Sequence, residues 1–122
     1  MSDKAVVVEV DGSVREVQVD IVKLGAVLGG VPDHTVEGSA ISHIDYRGYS
    51  ALAVFCANRG PVNRKATDVY KKDELHGPVL FVDNRKPLTA DEFEKIWVHA
   101  MGIDYAKWQS ELLAKLKAKY KK

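Results

Sequence analysis

Arg59, Asn63, Arg64 and Lys65 stand close together in the run FCANRGPVNRKATDVYKKDELHGPVLFVD, residues 55–83, and their types suit the holding of an anion. Gly60-Pro61 marks a turn, and Asn63 occupies the position of a helix N-cap. The predicted helix, Arg64–Tyr70, buries Ala66, Val69 and Tyr70 on one face. Its first turn carries Arg64 and Lys65, where the macrodipole favours acids by about 0.3–1 kcal/mol per group. Backbone N–H groups at the helix start, together with these cations, would suit a phosphate or carboxylate, so a small-ligand module binding a nucleotide is one reading. The structural alternative is that Asn63 only caps and the cations are solvated.

Other chemistry finds less support. His34, His43, His76 and His99 are scattered, with no His-x-x-x-His and no Cys-x-x-Cys, so no metal site is expected. Asp45, Asp83 and Glu37 are candidates for paired carboxylates, but nothing in the sequence draws them together. Gly-x-Ser-x-Gly, Walker and Gly-x-Gly-x-x-Gly signatures are absent, so the expectation is a protein without catalytic residues or cofactor. Cys56 is the only cysteine and lies in the apolar run SALAVFCA, which predicts a buried, inert thiol.

A chain of 122 residues with 46% hydrophobic and 29% charged residues has the size and composition of one folded domain. The net charge of +1 is unevenly spread. Residues 1–102 carry twelve Lys/Arg against fifteen Asp/Glu, and residues 103–122 carry six Lys against two acids. The N-terminal MSDKAVVVEV has no signal-peptide pattern and no run approaches a membrane span, so a cytoplasmic location is expected.

The elements that must position these residues follow from periodicity and punctuation. Ala5–Val10 and Val14–Val19 read as a hairpin about Asp11-Gly12-Ser13, with the second strand at a sheet edge. Asp20 is placed to cap a short helix over Ile21–Leu28, ended by Gly29-Gly30 and Pro32, with Gly25 approaching the sheet. Thr35–Ile44 and Tyr49–Ala57 form a second hairpin through Asp45–Gly48. The latter strand and Val79–Val82 are apolar on both faces and should be central neighbours. Thr89 and Glu92 form a capping box with a Leu88/Phe93 staple, and Phe93, Ile96, Trp97, Ala100 and Met101 make the buried stripe of a helix.

Gly102 ends that helix and Asp104 caps another. Here Tyr105, Trp108, Leu112, Leu116 and Tyr120 make an apolar stripe against a Lys-rich opposite face. The fold class is therefore α+β: a mainly antiparallel sheet of about five strands, built as hairpin, helix, hairpin, short helix and strand, followed by two C-terminal helices. Residues 1–102 are the domain; residues 103–122 are an amphipathic helix packed on it or on a partner. Trp108, Leu112, Lys115, Leu116, Lys119 and Tyr120 are the candidate partner-binding residues. Separation of aromatics from lysines argues against a nucleic-acid stacking platform, leaving weak binding through the basic tail as a third reading.

Asn63-Arg64-Lys65-Ala66-Thr67, preceded by an apolar strand and followed by Gly77-Pro78-Val79-Leu80-Phe81-Val82, resembles a family of small functionally uncharacterised proteins of bacteriophages and prophages. The resemblance covers residues 55–83 well and 5–101 loosely; the C-terminal helix lies beyond it. It implies a phage-type accessory protein in the host cytoplasm, acting on a host or phage protein in takeover or counter-defence, or sequestering a nucleotide signal. It supplies no catalytic residues. A homodimer through the C-terminal helix is equally compatible with the sequence.

Overall fold

The computed structural model of the chain describes residues 4–19, 23–49, 51–83 and 85–120. Five strands form one antiparallel sheet: β1 (Lys4–Val8), β2 (Val14–Gln18), β3 (Glu37–Ile41), β4 (Leu52–Cys56) and β5 (Val79–Asp83). Their order is β2-β1-β5-β4-β3, so the last strand in sequence lies at the centre. Helices α1 (Leu24–Val27), α2 (Arg64–Tyr70), α3 (Ala90–Met101) and α4 (Tyr105–Tyr120) complete the architecture.

Side chains alternate across a strand, and both faces of the central strands are covered. Val6, Val8, Val54 and Phe81 point to one face and pack with Ala66 and Val69 of α2 and with Phe93, Ile96 and Ala100 of α3. Ala5, Val7, Leu80 and Val82 point to the other, where Leu28 and the partly buried Leu24 and Val27 cover them. Full burial of each large side chain is worth about 1.5–3 kcal/mol. This explains why β4 and β5 read as apolar on both sides, and Ala5–Val8 of β1 are buried on both faces as well.

The turns follow local chemistry. Asp11 Oδ1 accepts from Ser13 N at 2.9 Å and from Ser13 Oγ at 2.7 Å, which closes the first hairpin around Gly12. The register Val8↔Val14 leaves Glu9–Ser13 as its loop. Thr89 Oγ accepts from Glu92 N at 3.2 Å at the start of α3, and Leu88 and Phe93 are both fully buried.

Several boundaries differ from expectation. Helix α1 is a four-residue turn beginning at Leu24, with no side-chain cap, and the expected cap Asp20 and residues Ile21 and Val22 lie outside the described residues. Gly25 approaches the Val31–Asp33 segment instead of the sheet. A Cβ there would meet Val31 O at 1.9 Å, and Gly25 N donates to Asp33 Oδ1 at 2.7 Å. That bond helps turn Asp33–Thr35 into a 3-10 turn, so β3 begins at Glu37 and not at Thr35. In α3 the buried residues are Phe93, Ile96 and Ala100, whereas Met101, turned about 100° from Ala100 around the helix axis, is 56% exposed. Glu92 completes only half of its capping box: its side chain turns toward Arg47, 4.0 Å away.

Candidate functional site

The Asn63 motif is a structural lock. Asn63 is fully buried at the start of α2, its Oδ1 accepts from Ala66 N at 3.1 Å, and its Nδ2 donates to Val8 O at 2.8 Å and Gly77 O at 2.9 Å. One side chain thus caps the helix and ties it to β1 and to the turn before β5. The backbone repeats the tie, with Asn63 N donating to Leu75 O at 2.7 Å and Gly77 N to Pro61 O at 2.9 Å. Ala66 is fully buried beneath α2, and Thr67 Oγ accepts from Leu75 N at 3.0 Å. Gly77, at φ +75°, passes so close to Arg59 that a Cβ would lie 2.4 Å from Arg59 O.

The four anion candidates therefore divide. Asn63 spends its donors and its cap oxygen inside the fold. Lys65 Nζ donates to Glu94 Oε1 at 2.7 Å and lies 4.5 Å from the centre of the Trp97 ring, so it joins α2 to α3. Arg59 and Arg64 are exposed and make no ion pair among the described residues. The misplaced first-turn cation Lys65 is thus explained by a carboxylate on the neighbouring helix.

The candidate carboxylates do not meet either. Glu37 is opposite Cys56 at one end of β4 and Asp83 is opposite Leu52 at the other, a separation of four residues or about 13 Å. Asp83 is buried and accepts from Arg85 N at 2.8 Å, and Asp45 is exposed. Cys56 is buried, and burial pushes its thiol pKa up, away from the reactive thiolate. Among the described residues no three His, Cys, Asp or Glu side chains could hold a metal ion, and no helix is long and apolar enough to cross a membrane.

The helix α4 is seated only at its start. Asp104 Oδ1 accepts from Lys107 N at 3.1 Å, and Ile103 is half-buried against the core. Tyr105 and Trp108 lay their rings against His43, with centroids 5.0 and 5.8 Å away. His43 is buried and its Nε2 donates to Val69 O at 2.9 Å, and Nδ1 has no hydrogen-bond partner among the described residues. Burial holds the His43 pKa below the ordinary imidazole value, with Lys72 and Lys71 adding to the effect.

Beyond Trp108 the helix projects into solvent. Leu112, Leu113, Leu116 and Tyr120 are 40%, 51%, 42% and 72% exposed, and no residue of α4 is buried. Its 16 residues span about 24 Å. At 100° per residue Leu112, Leu116 and Tyr120 form one ridge with Leu113 beside it. Lys115 and Lys119 run along one side of that ridge and Lys117 along the other, so these lysines flank the stripe and only Lys107 stands opposite. Among the partner-binding candidates, Trp108 serves the seat, while Leu112, Lys115, Leu116, Lys119 and Tyr120 share the free surface.

A second feature was not anticipated from sequence. The edge of β3 and the loop after α2 enclose an open cleft of about 560 Å³. Val54, Cys56 and Leu75 contribute apolar walls, while Glu37, Asp73 and Glu74 contribute carboxylates. Tyr70 Oη donates to Ser39 Oγ at 3.0 Å, and Lys72 Nζ donates to Ala40 O at 2.6 Å, which holds the loop to the strand edge. His76 Nδ1 donates to Gly60 O at 2.9 Å, fixing the far wall. The sequence signal was the Asp73-Glu74 pair directly after α2, but only the sheet order brings Glu37 to it.

Comparison of the chain with protein-family models, curated proteins and solved structures finds no match.

Proposed function

We propose that the chain is a non-catalytic binding protein that works by protein–protein contact and presents α4 as its contact element. The observation that carries this reading is the exposed ridge of Leu112, Leu113, Leu116 and Tyr120 on a helix with no buried residue. Isolated helices of this length are marginal in water, and helical stability in proteins comes mostly from packing an apolar face. A ridge flanked by lysines is the form that a helix-in-groove contact takes, with leucines as anchors and charges setting orientation. The resemblance of residues 55–83 to phage proteins supports an accessory role in an infected or lysogenic host cell, in takeover or counter-defence. A phosphate-binding module is the weaker alternative, because Asn63 and Lys65 are committed within the fold and only Arg59 and Arg64 remain.

The test uses the full chain as bait in host extract, alongside Leu113→Asp and Leu116→Asp variants. Both substitutions fall on exposed positions and should leave the melting temperature within a few degrees. Loss of captured proteins and of the host phenotype in the variants is the expected result. Identical captured proteins and phenotype in all three would overturn the reading.

A further inference from the structure

The α4 ridge and the acidic cleft are complementary surfaces on the same chain. We propose that α4 of one protomer docks its Leu112–Tyr120 ridge into the carboxylate-rimmed cleft between β3 and the α2–β5 loop of a second copy, and receives the partner's helix in its own cleft. This rests on the reading of α4 as a contact element and names its occupant.

Three observations converge on it. The cleft, at about 560 Å³, is of a size that accepts a few large side chains, and the buried Val54, Cys56 and Leu75 give it a small apolar floor beneath a polar rim. Its carboxylates Glu37, Asp73 and Glu74 make no ion pair among the described residues, and neither do Lys115 and Lys117 of α4. No Lys or Arg lines the cleft among the described residues, and Lys72, next to Asp73, is tied to Ala40 O and lies over the Tyr70 ring. Lysines on both sides of the ridge therefore meet the carboxylates that rim the cleft.

Charge also decides against the simplest rival. Packing two α4 ridges face to face would set Lys115, Lys117 and Lys119 of one helix beside the lysines of the other, with Glu111 as the only acid within either helix. Like charges juxtaposed at an interface are costly, so α4 seeks the acidic body of its copy in preference to the basic helix. Docking in the same chain is not what the structure shows, since the ridge is exposed while Tyr105 and Trp108 remain seated on His43. Reciprocal docking closes a two-fold dimer with two identical contacts, which leaves neither ridge uncovered.

Sedimentation velocity of the full chain tests it. A dimer is expected at micromolar concentration and low ionic strength, loosening as salt is raised. Leu116→Glu is expected to give a monomer, as is the pair Asp73→Lys with Glu74→Lys, each weakening association by at least roughly tenfold. Combining the cleft reversals with Lys115→Glu and Lys117→Glu is expected to restore the dimer. Circular dichroism melts of every variant confirm that the fold persists. A monomer at all concentrations and salts overturns the proposal, as does a dimer that survives both sets of variants or fails to return on the double reversal. If the chain is monomeric yet Leu116→Glu abolishes capture of another protein, only the second-copy assignment fails. If Leu116→Glu changes neither association state nor captured proteins, the reading of α4 fails with it.

Discussion

Replacing Asn63 tests whether this motif residue belongs to the architecture. In Asn63→Ala, Ala66 N, Val8 O and Gly77 O each lose a side-chain partner in a fully buried setting. A buried polar group left unpaired costs about 1–3 kcal/mol, and loss of an N-cap alone costs about 0.5–2 kcal/mol. Carbonyl oxygens have a second lone pair for other donors, which moderates the sum, so the expected loss is about 3–5 kcal/mol. That is a large part of the 5–15 kcal/mol typical of a domain. Urea titration followed by circular dichroism measures it.

Asn63→Asp separates the cap from the ties. The carboxylate retains an oxygen for Ala66 N but presents a second oxygen to two carbonyls, where the amide had supplied both donors. This variant is expected to be at least as unstable as Asn63→Ala at neutral pH. Facing carbonyl oxygens, the introduced carboxyl has a folded-state pKa above its unfolded value. Its protonated form is thus favoured in the folded state, and the deficit relative to wild type narrows as pH falls through that raised value and is smallest below the unfolded value near about pH 4. A loss under about 1 kcal/mol in Asn63→Ala, or a deficit in Asn63→Asp that does not respond to acid, would refute the account of the motif as a lock.

The seat of α4 predicts a dependence on pH. His43 is neutral when folded and its pKa is depressed by burial, so its contribution to stability is complete above the unfolded value near 6.5 and is lost as pH falls through the folded value. The stability advantage of wild type over His43→Gln should therefore shrink between about pH 7.5 and about pH 5, and a constant difference across that range would contradict it. For the glycines, Gly77→Ala must accommodate both φ +75° and a Cβ 2.4 Å from Arg59 O, whereas Gly60→Ala at φ +99° meets nothing within 4 Å. Thermal and urea melts should show a loss of about 2–4 kcal/mol for the first and about 1–2 kcal/mol for the second; equal losses would remove the steric argument.

The parts of this fold legible in sequence were those set by local rules. The Asp11-Gly12 turn, the caps at Asn63, Thr89 and Asp104, and the two-sided apolar strands β4 and β5 all declare themselves within a few residues. Expectation failed where a distant partner decided the outcome. Gly25 approaches Val31 and Asp33, so neither the length of α1 nor the start of β3 could be read from helical spacing alone. Lys65 breaks the macrodipole preference in α2 because Glu94 of α3 stands beside it, a pairing that spans 29 residues. In the working surface, the α4 ridge was visible as a stripe from Tyr105 to Tyr120, but its division into a seated end and a free end depends on His43. The acidic cleft was hidden because β3 and the Asp73-Glu74 loop are distant in sequence.

The placement of β5 has a consequence for how this protein is made. The hairpins β1–β2 and β3–β4 can each form locally, but they do not touch each other in the sheet; β5 alone joins them. During synthesis both hairpins leave the ribosome before Val79–Asp83 does. Until then β1 and β4 each present an unpaired apolar edge, the condition under which nascent chains stick to one another. Completion of the sheet waits for the strand that arrives last, and the Asn63 lock cannot close on Gly77 before it. The emerging chain is thus most in need of a chaperone over the interval between the second hairpin and β5.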